Sequence, residues 1–125
     1  MSFLNVPLHD AEVMGVRMDL EKQLLQLDLV LHTGEAVRLD FQGAEEWSLS
    51  GLGTQNVLFA LREWRAGTDG VADCCEEWKL DAFWTQKILA GELVLYECEP
   101  SVGMSGYIVA RTVTVARTSS MKTTV

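Results

Sequence analysis

His9 and Asp10 are the first side chains whose types suggest chemistry, because a carboxylate orients an imidazole whose unperturbed pKa lies near neutrality, as a general base requires. Adjacent residues in an extended strand point to opposite faces, however. Hydrogen bonding to local backbone at a strand start is therefore the plainer role for this dipeptide. His32 falls at the edge of a turn, where a solvated polar residue is the default. Two histidines without a C-x-x-C pair give no basis for a metal site, which needs three or four converging ligands. Cys74 and Cys75 could supply a reactive thiol, but Asp73, Glu76 and Glu77 beside them raise a thiol pKa and suppress the thiolate. Ser48, Ser50, Ser101 and Ser105 lack a G-x-S-x-G elbow and an evident histidine partner. The segment Leu52 to Asn56 lacks the Lys-Ser or Lys-Thr ending of a phosphate-binding loop, so a backbone turn stabilised by Gln55 and Asn56 is expected. No motif calls for a cofactor.

Two groupings remain. Asp69, Asp73, Glu76 and Glu77 precede Trp78, and an aromatic anchor in an acidic field suits a basic protein partner. The structural alternative is that these charges solvate a loop while Trp78 packs under the next helix, with Trp47, Trp64 and Trp84 as core pieces. The second grouping is His9, Asp10, Gln55 and Asn56 beside a pocket between sheet and helix, which would make the protein a small-ligand module or an enzyme.

The elements that must position these residues are mostly strands. Leu25, Leu27, Leu29 and Leu31, then Val37, Leu39 and Phe41, alternate with Gln26, Asp28, Arg38 and Asp40 around Thr33-Gly34, predicting a hairpin with one apolar face and a tight two-residue turn. Residues 11–20 predict a first strand, with Met14, Val16, Met18 and Leu20 on one side and a bulge at Gly15. Further strands are expected at 45–49, 55–64, 92–99 and 107–117. Residues 65–75 read as a loop. Asp81 as N-cap and Gly91 as stop predict one short helix, about 81–90. The result is a mainly β, α+β domain over residues 1–117: an antiparallel sheet or sandwich of six to seven strands with one helix, then a flexible tail at 118–125.

A chain of 125 residues is long enough to bury about two-thirds of its unfolded surface. Its 48% hydrophobic and 22% charged composition is that of a globular protein. No apolar run approaches the roughly 20 residues that cross a bilayer, and Asp10 and Glu12 stand where a leader would be basic and apolar. A soluble cytoplasmic protein is expected, with Cys74, Cys75 and Cys98 reduced; export would leave a bridge from Cys74 or Cys75 to Cys98 open. The first 106 residues carry 7 basic and 18 acidic side chains, a charge of −11 within a total of −8. That field repels phosphate backbones and anionic membranes and favours basic partners, although solubility alone also explains it.

Leu8-His9-Asp10-Ala11-Glu12-Val13, the leucine hairpin ending at Phe41, Gln55-Asn56-Val57 and Glu97-Cys98-Glu99-Pro100-Ser101-Val102-Gly103 together resemble small β-rich bacterial domains of unknown function, some grouped with immunity proteins of polymorphic toxin systems. The resemblance implies a single cytoplasmic domain that binds and blocks a cognate toxin through a variable face, so no binding residue carries over. The cysteine pair and the acidic segment Asp69 to Glu77 depart from it. A non-enzymatic protein-binding domain is thus the leading expectation, with a basic toxin as candidate partner. A homo-oligomeric protein, at its simplest a homodimer, and the pocket-bearing module are the alternatives.

Overall fold

The computed structural model describes residues 4–117; the expected tail at 118–125 lies outside them. The leucine hairpin is present as β2 (Leu24–Val30) and β3 (Ala36–Gln42), with Leu25 opposite Phe41, Leu27 opposite Leu39 and Leu29 opposite Val37. All six are at most 1% exposed, so each contributes about 1.5–3 kcal/mol of burial. Its connection has three residues, His32 to Gly34, instead of two. Leu31 N–H donates to the Glu35 carbonyl, which extends the ladder one step, and Gly34 takes φ 93° to close the loop.

β1 (Glu12–Asp19) pairs with β2, and the register slips between Val13 and Gly15, as the glycine predicted. β4 (Glu46–Ser50), β5 (Val57–Trp64), β6 (Val94–Val102), β7 (Ser105–Ala110) and β8 (Thr112–Arg117) complete one antiparallel sheet in the order β4-β7-β6-β5-β1-β2-β3-β8. Among the described residues eight strands replace six to seven, because the segment expected as 107–117 is interrupted at Arg111, whose N–H donates to the Gln42 carbonyl. β6 also runs on through Pro100 to Val102, three residues beyond the end expected at Glu99.

β3 leads into β4 and β7 into β8, and the two chain segments face each other on both sides of the corner, Phe41 opposite Val113 and Trp47 opposite Ile108. The sheet therefore curls around its own core. Inward side chains from seven of the strands, including Val13, Leu27, Leu39, Leu58, Tyr96, Ile108 and Val113, form one buried cluster. Gly106 allows the tightest approach, since a Cβ there would overlap the Ser48 carbonyl. The curl thus takes the place of the sandwich alternative.

Two helices cover the outside of β6 and β7. α2 (Ala82–Leu89) matches the predicted helix within a residue at each end, and Gly91 follows with φ 84°. α1 (Val71–Glu77) occupies the segment expected to be a loop. Val71, Cys74, Cys75 and Trp78 recur at helical spacing and pack with Ile88, Leu93, Leu95, Tyr107 and Val109 in a second core. Because β6 and β7 are buried on both faces, Leu93 to Tyr96 and Tyr107 to Ala110 are buried without interruption. Among the described residues, no helix is long and apolar enough to cross a membrane.

Candidate functional site

The acidic residues of 69–77 are arranged by α1. Its apolar stripe faces the sheet, so Asp73, Glu76 and Glu77 lie exposed on the other side, while Asp69 is exposed in the turn before the helix, ahead of the left-handed Gly70. Among the described residues none of the four takes part in an ion pair. The last turn of α1 carries no basic residue, and Glu76 and Glu77 sit where the helix dipole disfavours negative charge. Helix stability therefore accounts for Asp73, in the first turn, but not for Glu76 and Glu77.

Trp78 has a different place from the one expected of an exposed anchor. It is half-buried, and its indole Nε1–H donates to Glu97 Oε2 at 3.0 Å while Trp64 Nε1–H donates to Glu97 Oε1 at 3.1 Å. One carboxylate thus joins the end of α1 to β5 and β6. The Trp78 ring lies 5.4 Å from that of Tyr107, whose hydroxyl donates to Glu46 Oε2 at 3.0 Å. Burial, reinforced by the Glu46 carboxylate, pushes the Tyr107 hydroxyl up to about 12. Trp78 is in effect the fastener that holds the acidic face in a fixed orientation.

The cysteines are buried and free. Burial first, then the Glu97 carboxylate, pushes the Cys74 thiol up to about 12, and burial does the same to Cys98. Burial also raises Cys75, against a partly offsetting hydrogen bond with Thr85. The neighbouring acids singled out from sequence are minor contributors for Cys74, with only Glu77 among them, and thiolate chemistry is suppressed mainly by desolvation.

His9, Asp10, Gln55 and Asn56 lie along the contact between the N-terminal segment and β5 but do not share one constellation. Asp10 adopts φ 67°, which brings its carboxylate 3.6 Å from His9 Nε2, so the extended-strand objection to this pair does not apply. Both side chains are more than half exposed, and the imidazole also lies against Phe59, with Nδ1 3.1 Å from its carbonyl. Asn56 is buried and both polar atoms of its amide are engaged: Oδ1 accepts from Gly53 N–H and Met104 N–H, and Nδ2 donates to the Gly53 carbonyl. Gln55 is exposed. The backbone-turn reading of this segment fits these bonds.

Depressions do form between α2 and the sheet, on other residues. One of about 320 Å³ is lined by Glu45, Lys87, Glu92, Leu93 and Arg111, and a neighbour of about 240 Å³ includes Leu20, Trp47 and Trp84. The first is edged by opposed charges, with Lys87 Nζ 3.4 Å from Glu92 Oε1. Among the described residues, no group of three or more His, Cys, Asp or Glu side chains converges as metal ligands would. Comparisons with known protein families, with curated proteins and with solved structures return no match to this chain.

Proposed function

We propose that this protein is a non-enzymatic protein-binding domain whose α1 face, Asp69, Asp73, Glu76 and Glu77, receives a basic partner, and that the partner is a toxin which the domain neutralises in the bacterial cytoplasm. The observation that carries the reading is the pairing of an uncompensated acidic surface with a rigid mount: three exposed carboxylates on a helix fastened through Trp78 to Glu97, and a fourth, Asp69, in the turn that leads into it. Charges held in fixed positions speed encounter and define register with a complementary surface, at less ordering cost than charges on a mobile loop. Buried, protonated thiols suit a reducing compartment.

An immunity protein is encoded beside its toxin, so the test uses the product of the adjacent gene. Co-expression with the wild-type chain should restore growth that the gene product arrests, and the variant D69N/D73N/E76Q/E77Q should restore it poorly while folding normally by near-ultraviolet circular dichroism. Full protection by the variant would overturn the assignment of the face. A neighbouring product that neither harms the cell nor binds this chain would overturn the toxin assignment.

A further inference from the structure

We propose that a second copy of this chain docks on the outer edge of β1, pairing β1 with β1 antiparallel about Met18. This surface is separate from the α1 face and does not depend on it.

The edge is open. β1 meets β5 at the single register pair Glu12 with Val57, and Val13 N–H donates to the Asn56 carbonyl; beyond Val13 no described residue pairs with β1 on that side. Loop 51–56 turns back on itself instead, through the Asn56 bonds to Gly53. Alternation in the ladder fixes which groups face outward. Leu31 N–H serves Glu35, so the odd residues of β2 bond to β3 and the even ones to β1. Arg17 opposite Gln26 and Asp19 opposite Leu24 therefore bond to β2, leaving the N–H and C=O of Val16 and Met18 unpaired toward solvent.

The side chains on this edge are apolar where exposure is costly. Met14, Val16, Met18 and Leu20 are 61%, 36%, 51% and 73% exposed, although Val16 and Met18 share a face with the fully buried Leu27 and Leu25. They extend the core layer to an uncovered margin.

Self-pairing about Met18 makes the edge complementary to itself. Met18 exchanges both hydrogen bonds with its symmetry mate, Val16 stands opposite Leu20, and Arg17 stands opposite Asp19 twice over. Shifting the two-fold axis to Arg17 would instead oppose two arginines, so charge selects the Met18 register. Five residues a side make a small interface, and a dissociation constant on the order of 10 µM is expected.

Sedimentation equilibrium of the full chain across concentrations should show a monomer–dimer equilibrium. Met18→Lys, at a side chain half in solvent, should weaken it by about tenfold or more by placing two ammonium groups on the axis. Because Arg17 also pairs with Asp28 within the chain, the register is tested by cross-linking instead of by charge swap. Met18→Cys should form an intermolecular disulfide under mild oxidation, and His32→Cys, on an exposed turn elsewhere, should not. A monomer at about 100 micromolar (roughly tenfold above the expected constant), or a dimer in which both cysteines cross-link equally slowly, would overturn the proposal. So would a monomer whose Val16 and Met18 amides exchange slowly, because another segment of the chain would then cover the edge.

Discussion

Replacing Glu97 with Gln tests how α1 is mounted. In the native protein the two carboxylate oxygens accept from Trp78 and Trp64 at 3.0 and 3.1 Å. Gln keeps the length of the side chain but offers one oxygen and one NH2, so one indole N–H must face a donor. A hydrogen bond to a charged group contributes about 1.5–3 kcal/mol, and an unsatisfied buried donor costs about 1–3 kcal/mol; with Glu97 half-buried, a loss of about 2 kcal/mol is expected. Urea unfolding at neutral pH measures it. Trp78→Phe should lose a comparable amount, and the double variant should fall short of the sum by about 1 kcal/mol, since both changes remove the same bond. The effect should also be local: amide exchange within 71–78 should accelerate, while the β2–β3 hairpin keeps its protection. A Glu97→Gln protein within about 0.5 kcal/mol of wild type, with unchanged exchange in α1, would refute the mounting.

Two other consequences follow from buried polar groups. Cys74, Cys98, Tyr96 and Tyr107 are each pushed up to about 12, chiefly by burial. Unfolded thiols ionise near about 8.5 and phenols near about 10, so above those values the unfolded chain has shed protons that the native one keeps. Stability should be flat through neutral pH and fall as pH rises from about 9 toward 12, read as a declining urea midpoint. Asn56→Ala removes three hydrogen bonds and strands the Gly53 and Met104 amides, for an expected loss of about 2–4 kcal/mol by urea unfolding. A near-neutral result would mean that this amide is not structural.

The sheet was legible where one face alone is buried. The β2–β3 leucine row and the Gly15 slip follow directly from alternation and a glycine, whereas the strand at 57–64 follows from its β-branched and aromatic content, since its buried residues Leu58 and Leu61 are three apart and Phe59 is exposed where the ladder slips. Alternation also placed β1, but not its exposure: Met14, Val16 and Met18 have the period of a buried face, yet they stay exposed where the pairing with β5 ends at Val13. Periodicity reports which side a residue takes, not whether a neighbour arrives. α1 was hidden by its small and acidic residues, although Val71, Cys74, Cys75 and Trp78 carry the helical spacing that could have revealed it. The acidic side chains of the candidate site were all visible in the sequence; their common exposed face and the role of Trp78 were not, because Glu97 lies 19 residues from Trp78 and 33 from Trp64.

The central claim is that α1 presents a fixed acidic face to a basic partner. The most direct measurement is the affinity of the adjacent gene product for the wild-type chain and for D69N/D73N/E76Q/E77Q, by calorimetry at about 50 and 300 mM salt, across which surface charge interactions are strongly screened. The wild type should bind tightly and weaken markedly with salt, and the variant should bind at least about tenfold more weakly with a flatter salt response. Equal affinities with the same salt dependence would contradict the account.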